Sequence, residues 1–315
     1  MKKYLILILA AMLMTSGPLR AGEADSVRYR VPARAIVASA GSAVVTNAVL
    51  TELLKGTIHE RRPDGVGRHS WPSRHTSWAF TAASVLSHEL YRHSPWWVTG
   101  AHAAADIVAW QRIVSGRHYP KDVLGGAAVG LVSAEVGYLI GRVMFPGSYP
   151  ALPAAPADWL PGLAVTTTAL FPLSGPDNMV SARTGFMSAV RLTVPLSEWG
   201  GVCVQTDLRS LPLYDGARGY FDRADGWGMS AGMALSRACD GRWAPTGHIL
   251  LGAVRNYHMR SVRHPQWSFA LDAAVGGMYS LTPRLMIGGE AGYQCWNLST
   301  TVHSITLGLV TRANF

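Results

Sequence analysis

Apolar positions recur along this chain with two different periods. Over residues 30–145 they fall at helical spacing, and Ala33 to Leu54, Thr76 to Tyr91, Trp96 to Val114 and Asp122 to Met144 are predicted as helices. Beyond residue 162 the period becomes two. In "QWSFALDAAVGGMYSL" Trp267, Phe269, Leu271, Ala273, Val275 and Tyr279 share one face, opposed by Ser268, Asp272, Ala274 and Gly276. In "RLMIGGEAGYQCW" Leu285, Ile287, Ala291 and Tyr293 oppose Gly288, Glu290, Gly292 and Gln294. The closing "HSITLGLVTRANF" sets Ile305, Leu307, Leu309 and Phe315 against Thr306, Gly308, Arg312 and Asn314. Similar runs near residues 162–171, 184–194, 200–208, 226–236 and 247–257 bring the total to about eight strands. The predicted fold is two-domain: an all-α bundle over residues 22–144, a Pro/Ala-rich linker at 145–161, and an all-β antiparallel barrel over 162–315.

The strand connections alternate in length. Brief turns occur at "PLSEW", "CDGRW" and "LTPR", and longer polar links at "PLSGPDNMVSA", "RSLPLYDGARGYFDRAD" and "HMRSVRHP". Apolar-out, polar-in strands joined in this way fit an outer-membrane barrel, because only a closed sheet satisfies every backbone group in lipid. A soluble antiparallel sandwich with one buried face is the bland alternative. Phe315 resembles the C-terminal aromatic of bacterial outer-membrane proteins. An even strand number returns both barrel termini to the short-turn, periplasmic side, and the helical domain is expected to hang there. The predicted helices carry Glu52, His88, Glu89, His102, Asp106 and Glu135. Such groups are costly in lipid, so a packed soluble bundle is expected, with a membrane-embedded one as the alternative.

Export is expected from the start of the chain. Two lysines, an apolar run from Tyr4 to about Met14 and a small-residue exit at Ala21 read as a signal peptide over residues 1–21, too short to span a bilayer. The net charge of +9 suggests anionic partners; phosphate-bearing lipid suits an exported protein better than nucleic acid. Cys203, Cys239 and Cys295 are odd in number and widely spaced, giving neither a disulfide framework nor a metal-ligand pattern.

Three clusters carry candidate chemistry: "KGTIHERRP" with Lys55 and Arg62, "WPSRHTSWAF" with Ser73, Arg74 and His75, and the stretch from Arg112 through His118 to Asp122. Singly each is weak, since basic pairs at helix ends are usually solvated and a Ser-His pair before a helix is usually a cap. Together they supply what phosphomonoester hydrolysis needs. Fixed cations stabilise the charge spread over a transferring phosphoryl group, and arginine's fork grips two oxygens at once. A nucleophilic imidazole must be neutral at the attacking nitrogen, and a carboxylate on the other nitrogen fixes that tautomer. His118 with Asp122 has the spacing for such a pair, and His75 is then available as general acid. The scheme uses no metal and no cofactor. His59, His69, His88, His93 and His102 fit no element of it and are expected to be structural.

These clusters resemble the type 2 phosphatidic acid phosphatases, a family that shares its helical core with bacterial class A acid phosphatases and vanadium haloperoxidases. The family pattern is Lys, six residues, Arg-Pro; then Pro-Ser-Gly-His; then Ser-Arg, five residues, His, three residues, Asp. Lys55 and Arg62-Pro63 match the first element; Pro72, Ser73 and His75 match the second with Arg74 in the glycine place; Arg112, His118 and Asp122 match the third with Gln111 in the serine place. The resemblance covers roughly residues 35–142. It implies that His118 forms a phosphohistidine, Asp122 orients it, His75 is the acid, and Lys55, Arg62, Ser73 and Arg112 bind phosphate, with Arg74 as a further phosphate contact or a narrowing of the pocket.

The expected function is a metal-independent phosphatase acting on a lipid phosphate (lipid A, an isoprenyl diphosphate or a phosphatidate-type lipid), anchored in the outer membrane with its site in the periplasm. The alternatives are a nonspecific periplasmic acid phosphatase, a vanadium haloperoxidase, and a non-catalytic surface barrel.

Overall fold

A computed structural model describes residues 31–91, 93–149, 160–175, 180–215, 220–237, 242–257, 266–282, 284–298 and 301–315. The expected signal peptide, most of the linker and Cys239 lie outside the described residues. Four helices open the described chain: α1 (Ala33–Thr57), α2 (Arg74–Leu90), α3 (Pro95–Val114) and α4 (Pro120–Met144). Pro95 and Pro120 stand at the start of α3 and α4, where a missing N–H costs nothing. The Ser94 side chain caps α3 by accepting from the Trp96 N–H.

Small residues let these helices approach closely. A Cβ at Gly130 of α4 would lie 2.6 Å from both the Phe80 Cβ and the Ser77 carbonyl oxygen of α2, and one at Gly137 would lie 2.6 Å from the Ser39 carbonyl of α1. The polar residues that lend α1 and α2 their mixed look satisfy one another inside the bundle. Thr51 donates to Asn47 at 2.9 Å, Ser77 donates to Asn47 at 3.2 Å, and Asn47 donates to Thr81.

The strands are β1 (Gly162–Pro172), β2 (Val180–Ala182), β3 (Gly185–Pro195), β4 (Gly200–Asp215), β5 (Tyr220–Ser236), β6 (Trp243–Tyr257), β7 (Trp267–Thr282), β8 (Leu285–Asn297) and β9 (Thr301–Asn314). Pairing is antiparallel throughout, in the order β4-β3-β1-β9-β8-β7-β6-β5, and β4 pairs with β5 to close an eight-stranded barrel. The three-residue β2 adds to the far part of β4. Closure and an inverted interior rule out the sandwich. Inside, Arg191 donates twice to Glu290 at 3.1 and 3.2 Å, Arg209 donates to Asp207 at 2.7 Å, and Gln205 donates to Asp272 at 3.3 Å. Outside, Met229, Ile249, Leu251, Phe269, Val275 and Leu307 are exposed. A barrel this narrow is filled by its side chains.

One expected loop is strand. The polar link predicted after residue 208 is instead the paired far ends of β4 and β5, in register to Asp215 opposite Tyr220. Its polar residues satisfy each other: Ser210 donates to Asp225 at 2.6 Å and Arg223 donates to the same carboxylate at 2.8 Å. Beyond the apolar belt a strand need not alternate.

The helices do not hang beyond the short-turn end of the barrel as expected. They lie against its outer wall. Asp106, in the middle of α3, accepts from Thr167 of β1 and, at 2.7 Å, from Ser188 of β3. Around this polar seam Trp110 of α3 meets Phe186 at 6.2 Å between rings, and Ile287 and Leu309 pack into the bundle core. The physical reason is complementarity: α3 presents Ala101, Ala105 and Ala109 with one carboxylate, and the wall presents two hydroxyls among apolar side chains.

The charges that argued for solubility are also internally paired. His88 meets Glu135 at 2.7 Å, Tyr138 donates to Glu89 at 2.6 Å, and His102 is buried against Ser87 at 3.3 Å. Meanwhile Val37, Val45 and Leu53 of α1 and Val132, Leu139 and Val143 of α4 are exposed. By length and composition α1 and α4 are apolar enough to cross a membrane.

Candidate active site

The site forms where α1 and α3 end and α2 and α4 begin. Asp122 is in the first turn of α4, fully buried, and one of its oxygens accepts three times: from the Tyr119 N–H at 2.9 Å, from the Ser70 hydroxyl at 2.5 Å, and from Nδ1 of His118 at 3.4 Å. The first of these is a helix-start contact, so the element that begins α4 also fixes the carboxylate. His118 is itself almost fully buried, and its backbone N–H donates to the Arg112 carbonyl at 3.3 Å. With Nδ1 on Asp122, the other ring nitrogen is left for chemistry.

The expected cations gather around this pair. Lys55, in the last turn of α1, is buried and donates to the His69 carbonyl at 2.9 Å, while His69 Nδ1 lies 2.8 Å from the Lys55 carbonyl. This reciprocal contact ties the loop of residues 58–73 to the helix end. Among the described residues, the Nε atoms of Arg62 and Arg112 are buried with no hydrogen-bond partner. Buried guanidinium donors are costly unless an acceptor meets them, so both Nε–H groups are open to an acceptor. Gln111, in the family's serine place, accepts from Arg112 at 3.3 Å. Ser73 is buried; its backbone N–H donates to the Asp122 carbonyl at 2.8 Å and its hydroxyl accepts from Thr76 at 3.0 Å. It precedes α2 without a side-chain cap bond, so the capping alternative is not what the residue does.

His75, in the first turn of α2, faces the same cluster. Partial burial, then the charges of Arg112, His118, Arg74 and Arg62, hold its pKa below the ordinary imidazole value. Arg74 stands beside it at the start of α2. Its guanidinium is paired with Glu52 of α1 at 2.6 Å on the exposed side, and its charge also acts on His75.

Ser70 is the residue of this cluster that the sequence did not disclose. It is fully buried and donates to the same Asp122 oxygen as Tyr119 and His118, while the other oxygen, Oδ1, is buried with no partner among the described residues. It falls between the first two motifs, and the only available signal was a small hydroxyl residue next to Trp71-Pro72.

Residues 36–143 match the sequence model of the PAP2 superfamily, so the helical unit is a PAP2 superfamily domain joined to an eight-stranded antiparallel barrel. Within that class, the chain is 36% identical over 112 residues to a lipid A 1-phosphatase of Porphyromonas gingivalis, an alignment that covers 33% of this chain and 25% of the relative. The chain thus spans about a quarter of the length of the curated relative it matches. Among solved structures, LpxE of Aquifex aeolicus is similar at 25% identity and a TM-score of 0.31, covering 42% of this chain and 76% of that one. Neisserial surface protein A is similar at 15% identity and a TM-score of 0.35, covering 49% and 97%.

Proposed function

We infer that this chain is a phosphatase of the outer membrane that hydrolyses a phosphate monoester on a lipid, with lipid A as the first choice of substrate. The observation that carries the reading is the meeting of a buried His118–Asp122 pair with two unpartnered buried guanidinium donors, Arg62 and Arg112, at one end of a bundle seated on a barrel wall. The family match and the lipid A 1-phosphatase relative support it.

In this mechanism His118 attacks phosphorus through the nitrogen that does not face Asp122. The ester P–O bond breaks as the N–P bond forms, and His75 gives its proton to the departing alkoxide. Lys55, Arg62 and Arg112 hold the phosphoryl oxygens. Water then attacks phosphorus, His75 takes the proton back, and inorganic phosphate leaves with His118 restored. Asp122 stabilises the imidazolium character that His118 gains. The bundle lies in the membrane beside the barrel, which confines the site to lipid-borne phosphate.

Substrate preference tests this reading. In mixed micelles, hydrolysis of a lipid phosphate is expected to exceed that of a small aryl phosphate in kcat/KM; equal or reversed preference would mark a nonspecific acid phosphatase.

The depressed pKa of His75 sets the pH dependence. The acid must be protonated in the free enzyme, so kcat/KM falls as pH rises through the His75 pKa, and that limb is expected below the ordinary imidazole range. Arg74→Ala removes a neighbouring positive charge and is expected to move the limb to higher pH. A limb that stays put would show that His75 is not the group being titrated.

Ser70→Ala leaves Asp122 with one donor fewer. A loss of roughly tenfold in kcat is expected, the scale for removing a partner that orients a catalytic group, with restoration by Ser70→Thr. Unchanged kcat in the alanine variant would reduce Ser70 to packing.

A further inference from the structure

The barrel gives the molecule a direction that the helices share. The connections β3–β4, β5–β6 and β7–β8, the start of β1 and the end of β9 all lie at one end, the short-turn end; β1–β3, β4–β5, β6–β7 and β8–β9 lie at the other, the loop end, which carries the two longest connections, β1–β3 and β6–β7. In outer-membrane barrels the short-turn end is periplasmic and the loop end extracellular. Helix α3 is fastened along the whole height of the wall. At its start Trp96 lies 6.1 Å from the Phe315 ring, and Val98 packs with Leu281, Leu285 and Ala313, all at the short-turn end. At its middle Asp106 binds Thr167 and Ser188. At its close Trp110 meets Phe186, near the start of β3, and the Val114 carbonyl accepts from Arg223, near the start of β5, at 3.4 Å.

Twenty residues of helix rise about 30 Å, the thickness of a bilayer's hydrocarbon core. The chain turns immediately after Val114 into Arg117, His118 and Asp122, so the site sits at the loop end. Helix α4 then returns to the short-turn end, where β1 begins. Charge and apolarity are layered to match. Along α1 the exposed Val37, Val44, Val45, Val49 and Leu53 lead up to Lys55, and beyond it come the exposed Arg61, Arg68 and Arg117.

We propose that the site works at the cell-surface end of the molecule, on a phosphate borne by a lipid of the outer leaflet that reaches it laterally with its acyl chains against the apolar face of α1. This rests on the phosphatase reading for its substrate and on the barrel alone for its direction. It reverses the periplasmic placement expected from the sequence, and it removes the difficulty of a periplasmic enzyme reaching a lipid of the outer leaflet.

Orientation is tested without using activity. In full-length protein with Cys203, Cys239 and Cys295 replaced by serine, a single cysteine is placed either at exposed Val66 near the site (V66C) or at exposed Glu198 in the β3–β4 turn (E198C). Heat-modifiable gel mobility verifies that each barrel is folded. Intact cells are treated with a membrane-impermeant maleimide, and a periplasmic cysteine reporter that stays unlabelled verifies the barrier. V66C is expected to label in intact cells and E198C only after permeabilisation. Labelling of E198C in intact cells, or failure of V66C to label until permeabilisation, overturns the proposal. Because labelling is independent of turnover, loss of the phosphatase reading would show separately, as phosphate release unaffected by His118→Ala.

Discussion

Replacing His118 with alanine is expected to lower phosphate release by roughly four orders of magnitude or more, the scale on which loss of a covalent nucleophile is felt when the rest of a site is left standing. The reason is geometric. His118 is buried with Nδ1 committed to Asp122, and that carboxylate is itself held by Ser70 and the Tyr119 N–H, so no other imidazole can take over the attack. His75 is more exposed, has no carboxylate on its ring among the described residues, and sits among positive charges. The variant should keep its fold, since the backbone bond from residue 118 to the Arg112 carbonyl remains and Asp122 keeps the Ser70 hydroxyl and the Tyr119 N–H. Steady-state phosphate release from a lipid phosphate measures the loss, and acid-labile labelling of the protein by phosphate should vanish with it. Activity within tenfold of the parent would remove His118 from the chemistry.

Arg112 carries the second large effect. Arg112→Ala is expected to cost about 10²- to 10³-fold in kcat/KM, the range for removing one preorganised donor from a developing negative charge. Arg112→Lys should recover only a small part, because an ammonium offers a point charge where the guanidinium offers a planar fork. The structure makes the distinction sharp: the Arg112 carbonyl receives the N–H groups of Arg117 and His118, and Gln111 receives its guanidinium, so the side chain is positioned from both ends. Full recovery by lysine would mean that charge alone matters there.

The sequence made some levels of this organisation legible and hid others. Strand faces were readable because burial inside a narrow barrel forces strict alternation, and each side chain from Trp267 to Tyr279 lies on the face its parity assigned. The ends of β4 and β5 were not, since Ser210, Arg223 and Asp225 are polar residues that pair within a strand extension. That the three motifs converge on one cluster was readable from type and spacing. The place of Ser70 in that cluster was not, because it rests on a contact with Asp122, distant in sequence. The seat of the bundle was hidden for the same reason. Asp106 looked like evidence for a soluble helix, and only the facing Thr167 and Ser188 turn it into a seam between two elements. The pairing of Arg74 with Glu52 of the adjoining helix was hidden in the same way.

The activity proposed for this chain is removal of phosphate from a membrane lipid through His118. Mass spectrometry of lipids from cells carrying the parent protein, the His118→Ala variant or neither tests it most directly. A lipid species lacking one phosphate is expected in cells with the parent protein and absent from the other two. The same dephosphorylated species in His118→Ala cells, or lipid profiles identical in all three, would contradict it.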